Sequence, residues 1–275
     1  MAEKCRADRS AAIFDALVPL LDEAEYRTPL VTGLVVSIGG ITEYTAKGAK
    51  RALLAFLQEG GDEAGRPVAV GTELLRIFER VGVKDSDAEA KRLLSPLFVT
   101  VGVLLAQGCF PASLASTLGE SAAVAVRTSR DISRLRASVS VFIGLLRWPG
   151  SGRRRAMDTL LQLLGYSFPT VRQATAQALY IRLIEEAGDF DLCSDDGGGS
   201  VVPLAVLAET QELISVTPWG TDNEQALTGA LREVYTKLQL DLPTGGRSIL
   251  APKRPKERRS DAEADYADLV RQAHY

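Results

Sequence analysis

The sequence predicts an all-α chain whose antiparallel helix pairs stack into one curved, right-handed solenoid with strand content close to nil. Three observations carry that expectation. Apolar residues recur at spacings of three and four over most of residues 11–239, the period of one helix face. Gly and Pro fall between these stretches, where they punctuate helices. The third is the stretch from Met157 to Glu186, which reads as a complete helix pair. Met157, Leu160, Leu161, Leu163 and Leu164 crowd one side of a first helix of about two turns, and Gly165-Tyr166-Ser167-Phe168-Pro169 stops it. A second helix is expected from Thr170, with Thr as the cap and Val171, Ala174, Ala178, Leu179, Leu183 and Ile184 on its apolar face. Such a pair cannot bury its apolar face alone and must stack on neighbours, which is the plan of HEAT-like repeats.

The other elements follow in chain order. Ala11 to Ala24 is amphipathic. Thr28-Pro29 reads as a cap followed by Pro at the first helical position, so a helix is expected from Pro29 to Ile38, ending at Gly39-Gly40. Thr42-Glu43 opens the next, which continues to Leu57 and stops at Gly60-Gly61. A loop over 60–68 precedes helices at 69–81 and 87–107, and Pro96 should kink the latter or mark its true start. A short helix from Pro111 to Leu118 and a long one from Ser129 to Trp148 come next, with Pro149-Gly150-Ser151-Gly152 as separator. The run DFDLCSDDGGGS over 189–200 reads as a loop, and helices at 201–215 and 222–239 finish the series. The repeats keep no strict period. Residues 1–242 therefore form the expected HEAT-like helical domain. Residues 243–275, poor in apolar residues and dense in mixed charge, read as a disordered tail with a short helix near Tyr266 to Gln272.

Composition narrows the function classes. Hydrophobic residues make up 46% of 275, enough for a sizeable core, and aromatics at 6% suit aliphatic helix packing. A net charge of −3 gives no reason to expect nucleic acid or an anionic membrane as partner. Cys5, Cys109 and Cys193 are widely spaced and odd in number, which fits a reducing compartment rather than a disulfide framework. The N-terminal stretch lacks a signal-peptide core, and apolar runs such as Leu97 to Ala106 fall short of the roughly 20 residues of a membrane span. The chain reads as soluble and cytosolic.

Catalysis is poorly provided for. The one histidine, His274, lies in the expected tail, where a general base or metal ligand would lack a fixed position. Cys109 sits on an apolar stretch and reads as buried rather than nucleophilic. Gly33 to Gly40 lacks dinucleotide-binding spacing, Gly60-Gly61-Asp62-Glu63 lacks the aromatic residue of a cyclase signature, and no phosphate-cradling GxxxxGK[ST] occurs. No catalytic residue, cofactor-binding residue or metal ligand is expected.

The candidates are for protein contact. Arg153, Arg154 and Arg155 are either a patch for an acidic protein surface or a solvated helix start, where basic charge opposes the helix dipole. Arg172, early in its helix, is expected to pair with a turn carbonyl or a neighbouring repeat. Trp219 after Thr217-Pro218 and Trp148 before Pro149 read as anchors at inter-helix corners, or as contact centres if exposed. Pro252 to Arg259 (PKRPKERR) resembles a nuclear-localisation string and reads better as a solubilising stretch beside the acids of 261–268.

Phe168-Pro169, Val171-Arg172 and Ala174-Thr175-Ala176 leading to Leu179-Tyr180 resemble the C-terminal region of the tubulin-folding cofactor D family. Leu34 to Glu43 (LVVSIGGITE), Gly102 to Phe110 (GVLLAQGCF) and Val141 to Leu146 (VFIGLL) resemble it in the same order, with Thr217-Pro218-Trp219 and the helix ending near Leu240 as a weaker match. Together they cover most of residues 17–242. The resemblance implies a non-catalytic scaffold that binds β-tubulin, works with other tubulin-folding cofactors and an Arf-like small GTPase, and promotes GTP hydrolysis by tubulin during post-chaperonin heterodimer assembly. It also implies a cytoplasmic place, with microtubule association as a further expectation. Only the family's C-terminal portion is represented, so a fragment, a truncated gene model and a short divergent form all stay open. The 189–200 loop and the stretch after 243 depart from the pattern. The alternative is a generic HEAT-repeat adaptor unrelated to tubulin, and an enzyme is a distant third.

Overall fold

A computed structural model of the chain describes residues 12–40, 42–59, 65–81, 88–129, 131–193 and 200–242. The expected glycine stop at Gly60-Gly61 and the expected tail over 243–275, His274 included, lie outside the described residues. A helical stretch at 12–17 and a 3₁₀ turn at Val18–Asp22 lead into ten α-helices. These are α1 (Ala24–Ile38), α2 (Glu43–Glu59), α3 (Arg66–Val81), α4 (Ala88–Ala106), α5 (Ala112–Thr128), α6 (Ile132–Leu145), α7 (Ser151–Leu164), α8 (Pro169–Ile184), α9 (Leu204–Val216) and α10 (Glu224–Lys237). Two short strands, β1 (Phe190–Asp191) and β2 (Val201–Val202), pair antiparallel between α8 and α9.

Several boundaries differ from the sequence expectation, each for a local reason. The segment expected as one helix from Ala11 to Ala24 tightens into the 3₁₀ turn around Pro19. Helix α1 starts at Ala24, five residues before Pro29, so Thr28 is helical and does not cap. Its hydroxyl instead donates to the Glu73 carboxylate of α3 at 2.9 Å, while Arg27 secures the preceding turn through the carbonyls of Leu21 and Asp22. Pro29 is the sixth residue of α1, past the first turn, so it forgoes the hydrogen bond to the Glu25 carbonyl and the helix runs through it. Helix α4 runs through Pro96 rather than starting there. Helix α5 continues to Thr128, well past Leu118, because Gly119 lies inside it against Leu145 of α6. Asp131 accepts from the amides of Ser133 and Arg134, so α6 begins at Ile132 and not at Ser129. Helix α8 begins at Pro169 itself, with Phe168 before it and no side-chain cap from Thr170. Its buried face holds Val171, Thr175, Ala176, Leu179 and Leu183, whereas Ile184 is 51% exposed.

The pairs α3/α4, α5/α6 and α7/α8 stack in two layers. The first helices (α3, α5, α7) form one layer and the second helices (α4, α6, α8) the other, with α1 against both α3 and α4. The last pair breaks the order. Helix α9 packs on α8 and α10 on α7, so the first helix of this pair joins the layer of second helices. Leu204 at the start of α9 bonds Asp189 just past α8, Gln211 reaches the Leu183 carbonyl, and Trp219 beyond α9 meets Arg172 at the start of α8. Helix α9 is thus antiparallel to α8. The β1–β2 ribbon makes the reversal possible by returning the chain on the side where α8 ends. It is held by Phe190, Leu192 and Val202, all fully buried.

The most extensive helix–helix contact in the stack joins α4 and α6. A Cβ added at Gly102 would stand 2.7 Å from the backbone carbon of Ser140, and one at Gly144 would stand 2.8 Å from Leu105 Cβ and 3.0 Å from the Gly102 carbonyl oxygen. Ser140 donates its hydroxyl to the carbonyl of Ala137 in its own helix (2.7 Å) and to that of Phe98 across the crossing (3.2 Å). Gly39 likewise presses on Pro96, seating the end of α1 on α4.

Two glycines give opposite expectations. Gly102→Ala should destabilise the fold by about 1–3 kcal/mol, the cost of overpacking a tight contact. Gly33→Ala, with nothing within 4 Å of the new methyl, should stabilise it by up to about 1 kcal/mol through helix propensity. Leu164→Ala, at a fully buried position, should cost about 2–5 kcal/mol. Urea unfolding at equilibrium checks all three.

Candidate protein-interaction surface

The basic cluster at the start of α7 is split three ways. Gly150, at φ +98, turns the chain into the helix. Arg153 then points inward and is 9% exposed. Its guanidinium lies 4.7 Å from the centre of the Phe190 ring and donates to the carbonyls of Asp191 (3.3 Å) and Arg147 (3.2 Å). Burial pushes its pKa down, opposed by the nearby Glu186 carboxylate. Arg153 therefore clamps the β1–β2 ribbon to α7. Arg154 pairs with Asp241 at 3.4 Å, bringing the end of the described chain back to α7. Arg155 faces solvent, paired with Glu120 of α5 at 2.5 Å and bonded to Ser116 and Ser151.

Arg172 and Trp219 make a second clasp. Arg172 is buried and donates to four carbonyls, those of Tyr166 (2.8 Å), Ser167 (3.1 Å), Trp219 (2.8 Å) and Thr221 (2.6 Å). It thereby ties the α7–α8 turn to the α9–α10 turn. Burial lowers its pKa, and Asp222 opposes that shift. Trp219 is buried beside it, with its indole N–H on the Ile214 carbonyl at 2.9 Å. Trp148 is half-buried against the core.

Three ionisable groups complete the electrostatics. Burial pushes the Asp158 carboxyl on α7 up, although Arg154 next to it pulls the other way. Glu73 is buried and accepts from the Thr28 hydroxyl, which joins α1 to α3, and from Arg76 of its own helix. Cys109 is half-buried and its thiol is pushed up by burial, against a smaller opposing effect of Arg147.

Two grooves open on this framework. One, of about 520 Å³, lies between α8 and the end of α9, under Gln173, Gln177 and Tyr180 and against Trp219. The other, of about 360 Å³, lies between α5 and α7, floored by Phe142 and Leu145 of α6. Among the described residues no group of three or more His, Cys, Asp or Glu is placed to hold a metal ion, and no helix is long and apolar enough to cross a membrane. The arrangement offers apolar grooves edged by amides and charges, which is the chemistry of recognition. Sequence reading missed the ribbon clamp of Arg153, the Glu73 clasp and the α5–α7 groove. The alternating apolar and small residues of Ala122 to Val126 were a signal for the last.

Residues 2–134 match the family model described as tubulin folding cofactor D C terminal, a stretch that runs from before the first described helix into the first turn of α6. No solved structure matches the chain.

Removing the Arg172 donors should cost about 1.5–3 kcal/mol, the worth of hydrogen bonds to a charged group, so Arg172→Met should lower the thermal midpoint with helicity retained below it. Asp158→Asn should raise the midpoint at neutral pH. A carboxyl whose folded pKa lies above its unfolded one binds its proton more tightly when folded, so it loses stability as pH rises through that window. The gain should vanish at a pH below the unfolded carboxylate range, as differential scanning fluorimetry across pH will show.

Proposed function

We propose, from the membership of residues 2–134 in the tubulin folding cofactor D C-terminal family, that this chain is a non-catalytic tubulin-folding chaperone that binds β-tubulin in post-chaperonin assembly of the α/β heterodimer. In the cofactor complex, with sister cofactors and an Arf-like small GTPase, it stimulates GTP hydrolysis by tubulin, while the nucleotide chemistry stays in tubulin's own site. The family match carries the reading. The continuous stack of amphipathic helices supports it, because such a stack presents a long face to a folded partner. The chain acts in the cytoplasm.

The partner meets the face where α5 and α7 lie side by side. Arg154 and Arg155 reach that side of the fold and keep solvent access, with side-chain exposures of 22% and 53%. Arg153, Arg172 and Trp219, turned inward, contribute by fixing the corner from which the other two project. An acidic partner would add to the attraction on Arg155, and exposed charges of this kind are screened beyond roughly 8–10 Å at physiological salt.

The test is binding of β-tubulin to the wild-type chain and to Arg154→Glu/Arg155→Glu at two salt concentrations. The double variant should bind about tenfold more weakly at low salt, given up to about 1 kcal/mol for each exposed charge, and the difference should shrink as salt rises. Equal affinity of the two would remove the arginines from the interface. Failure of the wild-type chain to bind, while a longer relative binds in the same assay, would overturn β-tubulin binding for this chain.

A further inference from the structure

We propose that the outward face of the layer formed by α4, α6 and α8 docks an acidic segment of a partner protein, one that also carries aliphatic side chains.

The first observation is charge. Helix α4 from Arg92 onward, α6 and α8 contain no Asp or Glu, whereas α3, α5 and α7 of the other layer carry Glu73, Glu79, Glu120 and Asp158. Cations remain on the acid-free helices. Arg134 and Arg172 turn inward, and Arg182 pairs with Glu186 beyond α8 at 2.5 Å. Arg92, Arg136 and Arg147 are exposed, and none of the three pairs with a carboxylate among the described residues. Arg147 donates to the Ala106 carbonyl at 3.2 Å, which leaves its net charge in place. The carboxylates that flank these helices in sequence stand at their ends. Asp131 accepts from the amides of Ser133 and Arg134, and Glu185 is the C-cap of α8. In a chain of net charge −3 this face inverts the sign locally.

The three helices also align. Gly102 meets Ser140 and Gly144 meets Leu105, while Arg153 bonds both the Arg147 carbonyl after α6 and the Asp191 carbonyl after α8. They therefore run in one direction with their outward stripes side by side. On α6 the stripe is Arg136, Ser140, Ile143 and Arg147, at spacings of four, three and four. Helix α8 adds Ile181 and Ile184, each 51% exposed, and α4 adds the half-buried Val99 and Val103.

That mixture fixes the chemistry of the occupant. Guanidinium groups bind carboxylates through paired N–H donors, and uncompensated charge speeds the approach of a partner of opposite sign. The isoleucines and valines gain only from a partner with apolar side chains of its own, which a phosphate backbone lacks. Arg136 and Arg147 lie about 16 Å apart along α6, at about 1.5 Å per residue. A segment that touches both needs about three helical turns or about five extended residues. The face belongs to the layer opposite Arg154 and Arg155, so it does not rest on the identity of the partner met there.

The probe is a fluorescein-labelled peptide of glutamate and leucine at helical spacing, about 16 residues long, titrated with the full chain and followed by anisotropy. Expected is binding that weakens about tenfold at low salt in Arg136→Glu/Arg147→Glu, with circular dichroism and thermal midpoint unchanged, and a difference that shrinks as salt rises. Arg136→Glu alone should cost about threefold, which keeps the test decisive if Arg147→Glu loosens the end of α6. Ile181→Ser should weaken binding without altering its salt dependence. Arg154→Glu/Arg155→Glu should bind as the wild type does, so a failure here is separate from a failure to bind β-tubulin. The proposal is overturned if the wild type does not bind the peptide, or if the Arg136 variants bind it unchanged. An equal loss from the Arg154/Arg155 pair would overturn it too, as would equally tight binding of a glutamine-for-glutamate peptide or of a single-stranded oligonucleotide.

Discussion

The α4–α6 crossing is the constraint on which the stack depends. Two helices can approach until side chains or backbones collide, and here the side chains have been removed. Gly102 and Gly144 face each other's backbones, and Ser140 occupies the remaining space with its hydroxyl turned onto its own and its neighbour's carbonyls. The gain is dispersion between backbones at full contact and the exclusion of voids on either side. Helix α1 is seated on α4 by Gly39 against Pro96, and α8 packs on the other side of α6. A displacement of this crossing would therefore be transmitted to both ends of the layer.

The arginines do a different kind of work. In both buried cases the guanidinium serves carbonyls at the ends of elements, where helix termini leave acceptors without partners. Arg153 and Arg172 each reach elements that lie far away in sequence, the ribbon for one and the α9–α10 turn for the other. Between them they fix where the last pair sits. The third arginine of the run, Arg155, is tied to α5 at the surface and leaves its charge in water. Three adjacent residues of one type thus divide into a ribbon clamp, a tether for the chain's exit and a surface charge, by the 100° step of the helix alone.

The helix pairs, their punctuation and the buried leucines of α7 were legible in the sequence, because each rests on local periodicity. What escaped depended on partners distant along the chain. Thr28-Pro29 has the local form of a helix start, and only the carboxylate of Glu73 shows why Thr28 lies inside α1 instead. Gly119 has the form of a stop, and its role becomes visible once Leu145 is placed against it. The strands β1 and β2 are two residues each, too short for any alternation to register, and Phe190 is a core residue through Arg153 and the ribbon rather than through a pattern of its own. The burial of Arg153 could not be read from a run of three arginines. Likewise the family resemblance was most vivid in the unit around Phe168-Pro169, whereas the family match covers residues 2–134. The pattern of an alternating pair is plain in a single unit, but family membership is carried by an ordered series.

The exchanged order of the last pair sets a sequence of events during folding. In the regular part of the stack each helix finds its neighbour a few tens of residues away, and pairs can zip one onto the next. Helix α9 meets α8 just across the ribbon, but α10 has no such route, since it must find α7 beyond both α8 and α9, and the tie between Arg154 and Asp241 closes a loop of 87 residues. Loop-closure entropy makes so distant a contact late. The pair can settle only after α7 and α8 present both of their surfaces together, and Arg172 has no carbonyls of the last turn to hold until then. On a ribosome this makes the C-terminal pair a completion step, and on warming it is the cooperative unit that should detach first.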